Sequence, residues 1–247
     1  MDSIPILVSL DQRYLPQLQV LLTSIRCSNP GERFEIYLLH SGIPEQALKP
    51  VEQQCLHLTY GFSPILVDDT LFAGAPTTRQ YPKEMYYRLL AGYLLPESLN
   101  RILYLDPDIL VINPLRPLWE TDLGDHLFAA AAHTGKTELA NSVNRLRLGT
   151  RHDYYNSGVL LINLEACRKR ITTQQIFHYV AEHGKEMLLP DQDILNALYG
   201  EQILSLDDVL WNYDARNYNT YLLASSGQYD TSWVMEHTAI LHFCGKA

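Results

Sequence analysis

Positive charge and long apolar runs are the features in which this 247-residue sequence is poorest. Its 19 Lys and Arg residues face 28 Asp and Glu residues, and the formal net charge of −9 argues against a nucleic-acid binder that works through a basic face. No apolar run is long enough to span a bilayer, and the first residues have neither the basic region nor the apolar core of a secretory signal. We therefore expect a cytoplasmic protein, for which peripheral attachment to the inner face of the membrane through a tail beyond Ala247 stays open.

Cysteine is also scarce. The four cysteines are widely scattered, with no paired metal-site spacing, at Cys27, Cys55, Cys167 and Cys244. Buried thiols in a reducing compartment are therefore favoured over a disulfide framework. The apolar content of 47% is that of an ordinary globular protein that can bury a sizeable core. Because the protein is acidic, a phosphorylated ligand would require a cation or a local basic cluster to offset the repulsion.

Strands and helices alternate along the chain. Short apolar runs predict strands over residues 4–10, 34–39, 64–67, 102–105, 128–132 and 239–245. Apolar residues at helical spacing predict helices over residues 14–25, 44–56, 84–95, 172–183 and 190–199. The polar and basic segment 134–153 is predicted to be flexible or to face a substrate. The alternation indicates an α/β protein with a mostly parallel central sheet flanked by helices.

One stretch sets two carboxylates between two apolar runs: Asp106-Pro107-Asp108 follows residues 102–105 and precedes residues 109–112. In open α/β sheets ligands bind at the carboxyl ends of the strands, so Asp106 occupies a favoured position for function. Pro107 restricts the backbone and helps to hold the two carboxylates in one relative orientation. Two oxygen ligands on a rigid support suit a hard cation such as Mg²⁺ or Mn²⁺. A polar turn explains this tripeptide equally well, because Asp-Pro pairs are common in turns.

Other polar residues have both a functional and a structural interpretation. Arg88 directs a fixed charge toward the sheet edge if its helix crosses back over the sheet, and is otherwise an ordinary surface arginine. Asn156 either presents an amide at a site or closes a local turn before the next strand. Gly158 lets the backbone approach a ligand or a neighbouring group closely.

The start of the last long helix and the final strand carry further candidates. Asp191 and Asp193 lie in the first turn of the predicted helix, where acidic residues complement the helix N-terminus. Gln192 gains nothing from that role. His242 ends a short strand before a glycine turn, and a histidine there is more often structural than a ligand unless other ligands converge on it.

Taken in order, these pieces resemble glycosyltransferase family 8, the retaining group that contains glycogenin and bacterial lipopolysaccharide galactosyl- and glucosyltransferases. The motifs that carry the resemblance are Asp11-Gln-Arg-Tyr14, Tyr87-Arg88, Asp106-Pro-Asp108, Asn156-Ser-Gly158, Asp191-Gln-Asp193 and His242-Phe-Cys-Gly245. No single motif is specific, but together they cover essentially the whole chain. The resemblance implies one GT-A catalytic domain over residues 1–247, with a Rossmann-like sheet.

The resemblance also implies an activity and a set of residue roles. A hexose would move from UDP-galactose or UDP-glucose to a hydroxyl of a glycan or lipid-linked glycan, with Mn²⁺ (or Mg²⁺) as cofactor. The residues implied to bind the nucleotide sugar are Asp11, Tyr14, Arg88, Asp106, Asp108 and Gly245. The residues implied to bind the metal are Asp106, Asp108 and His242. The residues implied to act at the donor sugar are Asn156, Asp191 and Gln192.

The chemistry of the reaction agrees with these roles. Leaving-group departure puts negative charge on the diphosphate, which a cation held by two carboxylates and an imidazole would stabilise. Because Gln192 is a poor nucleophile, we favour a front-face mechanism over a covalent glycosyl-enzyme. The family's closing pattern has a lysine directly after the position of Ala247, so we expect the family's C-terminal tail to be missing from this chain.

Two alternatives stay open. One is a nucleotide-sugar-binding relative without turnover. The other is a phosphatase that uses an Asp-x-Asp nucleophile after an apolar strand, although such enzymes have a threonine where Leu110 stands in this chain.

Overall fold

The computed structural model of the protein describes residues 2–72, 83–132 and 138–244. In chain order its strands are β1 Ile4–Ser9, β2 Phe34–His40, β3 Gly61–Leu66, β4 Arg101–Leu105, β5 Ile109–Val111, β6 Phe128–Ala131, β7 Val159–Asn163, β8 Ile203–Leu206, β9 Tyr213–Asp214 and β10 Ile240–His242. A 7-stranded sheet has the order β3-β2-β1-β4-β7-β6-β8, and a 3-stranded sheet has the order β5-β10-β9.

Most of the large sheet is parallel. Strands β3, β2, β1 and β4 pair in parallel, and β8 pairs in parallel with β6. Strand β7 runs antiparallel to both of its neighbours, β4 and β6. The predicted α/β class with a mostly parallel central sheet is therefore confirmed. Because β7 is reversed, its amino end lies beside the carboxyl end of β4, with Val159 opposite Leu105.

The helices surround this sheet. In chain order they are α1 Leu15–Ser28, α2 Glu45–Leu58, α3 Ala91–Leu94, α4 Arg116–Trp119, α5 Glu138–Leu148, α6 Leu164–Arg170, α7 Thr173–His183, α8 Pro190–Tyr199, α9 Asp208–Trp211, α10 Tyr218–Ala224 and α11 Thr231–His237. Prolines lie in the first turns of α1 and α8, where a missing N–H removes no helical hydrogen bond. Thr172 and Gln175 form a capping box at the start of α7. The helices predicted at residues 14–25, 44–56, 172–183 and 190–199 are confirmed.

The helix predicted over residues 84–95 is wrong. The structure has a 3₁₀ turn at Lys83–Tyr86 and the short helix α3, with a non-helical backbone at Leu90 (φ −100°, ψ 14°) between them. The physical reason is burial, because residues 86–92 are buried almost throughout. An amphipathic helix has one buried face and one solvent-facing face, and a segment that is buried on all sides does not need that periodicity.

The segment 134–153 was predicted to be flexible or to face a substrate. Its described part contains helix α5, so the flexible alternative is wrong there, while the substrate-facing alternative stays a prediction. One of its basic residues explains the difference, because Arg147 donates to the two carboxylate oxygens of Asp193 at 2.9 and 2.7 Å. The positive charge that suggested a flexible segment therefore anchors α5 to the start of α8.

Two hydrophobic clusters cover the two faces of the large sheet. Alternate residues of β4 divide between them, with Ile102 and Tyr104 in one cluster and Leu103 and Leu105 in the other. Residues of α7 and α8 belong to the first cluster, and residues of α1 and α2 belong to the second. Burial of each such apolar side chain contributes about 2 kcal/mol to the free energy of folding. Packing on both faces of β4 therefore fixes the position of the residue that follows it, Asp106.

Candidate active site

Asp106, Asp108 and His242 lie together at the carboxyl end of β4. The N–H of Asp106 donates to the carbonyl of Gly158 at 2.8 Å, which ties it to the start of β7. Strand β10 pairs with β5, and the N–H of Phe243 donates to the carbonyl of Asp108 at 3.0 Å. Two carboxylate oxygens and one imidazole nitrogen of the three side chains all lie within 4.8 Å of one another. The structure thus brings together the three residues predicted as metal ligands.

The imidazole of His242 is buried and is held from two sides. Its Nδ1 lies 2.7 Å from the Oδ1 of Asn212, and its Nε2 lies 3.3 Å from an oxygen of Asp108. Burial alone would lower the pKa of His242, but hydrogen bonds with Asp108 and Cys244 more than offset this effect and raise the pKa to about 10. A histidine that ligates a metal characteristically has one ring nitrogen held by an oxygen acceptor and the other facing the ion.

The chemistry of this cluster fits a divalent cation. Carboxylate oxygens are the ligands that Mg²⁺ and Mn²⁺ prefer, and an imidazole nitrogen is accepted by first-row transition metals such as Mn²⁺. Asp108 keeps 37% of its side chain exposed, so the cluster opens to solvent on one side. An ion held there would therefore have coordination positions left for water or for the oxygens of a ligand.

Arg88 joins two of the predicted site carboxylates. Its guanidinium lies 3.0 Å from Asp106 and 3.1 Å from Asp191, and its carbon lies 4.5 Å from the ring centroid of Tyr104. Burial would lower the pKa of Arg88, but the charge of Asp106, the neighbouring Tyr104 and the charge of Asp191 raise it above its usual value. With a side chain that is only 11% exposed, Arg88 is not a surface arginine.

Gly158 permits the close approach that the sequence predicted. A Cβ at this position would lie 2.3 Å from the Cε1 of His242 and 2.7 Å from the Oδ2 of Asp106. Both distances are far below van der Waals contact, so a side chain here would push Asp106 and His242 apart.

Asn156, Gln192 and Asn212 form a line of amides beside the cluster. The Nδ2 of Asn156 donates to the Oε1 of Gln192 at 3.1 Å. The Oδ1 of Asn156 accepts from the N–H of Gly158 and from the Nδ2 of Asn212, both at 2.9 Å. Asn156 therefore closes a local turn, as one interpretation of the sequence had it, and its amide also contacts Gln192. Its role at a ligand stays a prediction.

The first turn of α8 sends its polar residues in different directions. Asp191 forms an ion pair with Arg88, and Gln192 contacts Asn156, so both face the candidate site. Asp193 is fully buried and binds Arg147 of α5. Of the two acidic residues, Asp193 is the one whose role is to anchor the helix start.

Two buried asparagines that the sequence motifs did not include position the site. Asn196 of α8 pairs with the backbone of Tyr155, with its Oδ1 accepting from the N–H and its Nδ2 donating to the carbonyl, both at 2.8 Å. Asn212 contacts both Asn156 and His242. The signal that could have identified them is weak: each is an asparagine among apolar neighbours, and a buried amide needs hydrogen-bond partners.

A cavity of about 440 Å³ borders the cluster. Its lining includes five of the six residues predicted to bind a nucleotide sugar, namely Asp11, Tyr14, Arg88, Asp106 and Asp108. It also includes Asp191, which was predicted to act at the donor sugar. Asp11 accepts from the backbone N–H of Arg13 at 2.7 Å and from its guanidinium at 2.6 Å, and these bonds lower the pKa of Asp11. Tyr14 also lines this cavity and is 44% exposed.

Gly245, also predicted to bind the nucleotide sugar, lies outside the described residues. The chain up to Cys244 is described, and it places β10 and His242 at the site. Across residues 2–72, 83–132 and 138–244, no helix is both long and apolar enough to cross a membrane.

Comparison with known proteins identifies the family. The model of glycosyl transferase family 8 matches residues 5–247. The chain belongs to this family. This family 8 enzyme is 29% identical over 243 residues to General stress protein A of Bacillus subtilis (strain 168), a match that covers 95% of the chain and 83% of that protein. It is 25% identical over 258 residues to the lipopolysaccharide 1,2-glucosyltransferase of Escherichia coli (strain K12), covering 99% of the chain and 72% of that protein.

The fold comparison agrees with the family assignment. The structure of the galactosyltransferase LgtC in complex with donor and acceptor sugar analogues matches the family 8 chain with a TM-score of 0.80 and 27% identity, over 99% of this chain and 88% of that one. The Mn/GDP form of core-mannan synthase A from Aspergillus fumigatus is 9% identical, with a TM-score of 0.55, and shows likeness of fold alone. The predicted GT-A fold is confirmed.

Proposed function

We propose that this family 8 enzyme is a retaining glycosyltransferase that moves a hexose from UDP-galactose or UDP-glucose to a hydroxyl of a glycan or lipid-linked glycan. The observation that carries the proposal is the cluster of Asp106, Asp108 and His242 at the edge of a 440 Å³ cavity, with Asp191 on the wall of that cavity. A cavity of this kind is suited to a charged ligand that brings its own phosphate oxygens to a cation.

The charge of the cavity supports a role for a cation. Its lining has more carboxylates than guanidinium groups, those of Asp11, Glu84, Asp106, Asp108 and Asp191 against those of Arg13 and Arg88. A UDP-sugar adds two further negative charges, so its binding requires an offsetting positive charge. We assign Mn²⁺ (or Mg²⁺) to Asp106, Asp108 and His242. When bound there, the ion supplies Lewis-acid stabilisation of the leaving diphosphate.

We assign the nucleotide end of the donor to Asp11 and Tyr14. The lowered pKa of Asp11 keeps its carboxylate ionised, so it can accept a hydrogen bond from the uracil or the ribose. The exposed ring of Tyr14 offers a flat surface against a base. Arg88, held between Asp106 and Asp191, then lies near the diphosphate and the sugar. By the family resemblance we also assign Gly245, which lies outside the described residues, to donor binding.

We assign the sugar end of the donor to Asn156, Asp191 and Gln192. Breaking the bond between the sugar and the diphosphate leaves positive charge on the sugar ring, which amide oxygens and a carboxylate can stabilise. Gln192 carries a neutral amide, which is a weak nucleophile, and Asp191 is engaged by Arg88. These features support a front-face route in which the acceptor hydroxyl enters on the side that the diphosphate leaves and passes its proton to the departing phosphate. Entry and departure on one face retain the configuration of the sugar.

The relatives support a glycan acceptor. The E. coli relative is a lipopolysaccharide 1,2-glucosyltransferase, and LgtC is a galactosyltransferase seen with an acceptor sugar analogue. By this likeness we assign the enzyme to lipopolysaccharide or related glycan synthesis. We propose the cytoplasm, at the inner face of the membrane, as its place of action.

A donor panel tests the proposal. The purified protein is incubated with UDP-glucose, UDP-galactose and their N-acetyl forms, each with Mn²⁺ and with EDTA, and the release of UDP is measured. We expect release from a hexose donor that depends on Mn²⁺. Binding of UDP that needs Mn²⁺, without release from any donor, would indicate a relative without turnover. Release of phosphate from an aryl phosphate, without release of UDP, would indicate a phosphatase.

A further inference from the structure

We propose that Asn212 is a positioning residue for both ends of the site, orienting the imidazole of His242 toward the cation and the amide of Gln192 toward the donor sugar. The inference rests on the proposed function, because the cation and the sugar are assigned there. Asn212 acts indirectly, through its hydrogen bonds with His242 on one side and Asn156 on the other.

The direction of each hydrogen bond in this line follows from one backbone donor. The N–H of Gly158 can only donate, and it lies 2.9 Å from the Oδ1 of Asn156. The Asn156 oxygen therefore faces Gly158, and its Nδ2 faces the Oε1 of Gln192 at 3.1 Å. The same Asn156 oxygen lies 2.9 Å from Asn212, which must present its Nδ2 there. The Oδ1 of Asn212 is then the atom that faces His242.

This orientation decides the tautomer of His242. Since the oxygen of Asn212 can only accept, the Nδ1 at 2.7 Å from it carries a hydrogen. Nε2, the atom 3.3 Å from Asp108, is then the ring nitrogen whose lone pair can bind a cation. In the other tautomer two acceptors would face each other at 2.7 Å. Asn212 therefore excludes the form of His242 that cannot bind a cation through Nε2.

Water cannot replace the side chain of Asn212. Asn212 is 0% exposed and His242 is 3% exposed, so a lost partner would leave a buried polar group unsatisfied. The N–H of Asn212 donates to the carbonyl of Asp208 at 3.0 Å at the end of α9. The next residue, Tyr213, begins β9, which pairs with β10, the strand of His242. The backbone thus holds Asn212 and His242 at a fixed separation.

The role requires an amide, because one acceptor and one donor are needed on a single short side chain. A carboxylate of the same shape still accepts from His242 but presents an acceptor to the oxygen of Asn156. Leucine offers neither function. Asn212→Asp should therefore lose only the hydrogen bond to Asn156, which orients Gln192. Asn212→Leu should lose the hydrogen bonds to both Asn156 and His242.

The experiment measures the two ends separately in the full chain. Binding of Mn²⁺ alone is followed by calorimetric titration, and kcat and KM are measured with the UDP-hexose found in the donor panel. For Asn212→Leu we expect the dissociation constant for Mn²⁺ to rise about 10- to 100-fold, the usual effect of losing a partner of a metal-bound histidine. For Asn212→Asp we expect an Mn²⁺ affinity at least as high as in the wild type, with an unchanged KM for the donor and a kcat about tenfold lower, as expected for one lost hydrogen bond.

Asn29→Leu is a matched control. Asn29 is also buried, and its amide accepts from the N–H of Leu115 at 2.7 Å and donates to the carbonyl of Ile25 at 3.1 Å, all outside the site. This variant should lose stability while keeping its Mn²⁺ affinity and kcat. If Asn212→Leu does not fold, Asn212→Asp decides the matter, because an unchanged kcat there overturns the inference.

Two further results are distinguishable. Wild-type Mn²⁺ affinity and kcat in Asn212→Leu would overturn the role of Asn212 and leave the proposed function standing. A wild-type protein that neither binds Mn²⁺ nor releases UDP would overturn the proposed function, and with it the inference.

Discussion

Gly158 and His242 are packed so closely that no side chain fits between them, since a Cβ on Gly158 would lie 2.3 Å from the imidazole Cε1. The same Cβ would lie 2.7 Å from Asp106. Neither neighbour can move away easily, because His242 is tied to Asn212, and Asp106 is tied to Arg88. The glycine is therefore required for the geometry of the proposed metal site.

Gly158→Ala should weaken Mn²⁺ binding, by at least about tenfold, because the methyl group displaces the ligand side chains. Overpacking should also lower the free energy of unfolding by about 1 to 3 kcal/mol. Calorimetric titration with Mn²⁺ and urea unfolding measure the two effects. Gly61→Ala is the control, since the three atoms nearest to its Cβ all belong to the flexible carboxylate of Glu35 on the neighbouring strand. Wild-type Mn²⁺ affinity in Gly158→Ala would mean that the close approach has no bearing on metal binding.

Asp108→Ala should abolish metal-dependent donor binding. The substitution removes one of the three ligand side chains and also the partner of the His242 Nε2. We expect the affinity for UDP in the presence of Mn²⁺ to fall by more than about 100-fold, which exceeds the usual effect of losing an outer partner of a metal ligand. Because Asp108 also supports the buried His242, the variant should lose some stability but keep the circular-dichroism spectrum of the folded protein, which separates loss of the site from loss of the fold. An unaltered Mn²⁺-dependent affinity for UDP would remove Asp108 from the metal site.

Gln192→Ala should act on turnover rather than on binding. Gln192 contacts Asn156 at the assigned sugar end and does not line the cavity assigned to the nucleotide. We expect kcat to fall by about 100-fold, as when one preorganised group at a reacting centre is removed, while the affinity for UDP stays within about threefold of the wild type. Steady-state kinetics and UDP titration check the two numbers. Equal losses of UDP affinity in Gln192→Ala and Asp108→Ala would contradict the separate roles.

The part of the site that the sequence could predict lies at the ends of buried strands. An apolar run such as β4 is visible in the sequence, and the residue that follows it has to appear at the sheet edge, so Asp106 and Asp108 could be identified. Asn156 was a candidate for a different reason, because it belongs to a polar corner that precedes the apolar run of β7. That β7 is antiparallel, and so brings Asn156 beside Asp106, was not predictable from local pattern. Strand direction depends on the path of the whole chain.

Asn212 shows why the rest of the site was missed. Its two partners are 56 and 30 residues away, and their spacing has no period that a helix or a strand would produce. The failed helix over residues 84–95 has a related cause, because its residues are buried by distant parts of the chain. Contacts of this kind are settled by tertiary packing, which overrides the local pattern.

Asp193 and Arg147 form the buried ion pair that anchors α5 to α8. Both oxygens of Asp193 are engaged, with further donors in the hydroxyl of Tyr154 at 2.5 Å and the N–H of Leu188 at 2.8 Å. Burial alone would raise the pKa of Asp193, but the hydrogen bonds from Arg147, Tyr154 and Leu188 lower it below the usual value. A carboxyl group whose pKa is lowered in the folded state stabilises the fold at pH values above its pKa in the unfolded chain, which is about 4. This stabilisation is lost as the pH falls through the pKa of the folded state.

Asp193→Asn should therefore lower the free energy of unfolding at pH 7 by on the order of 3 kcal/mol, because Arg147 loses its charge partner while its side chain stays 19% exposed. The difference from the wild type should shrink as the pH falls below about 4, where Asp193 of the wild type also takes up a proton. Urea unfolding of both proteins at a series of pH values measures it. Asp153→Asn is the matched control, since Asp153 is 53% exposed and lies 3.8 Å from Arg145, and such a surface pair contributes little. A difference between Asp193→Asn and the wild type that stays constant down to the acid transition would assign the loss to packing, and the buried charge pair would then not be what holds α5 against α8.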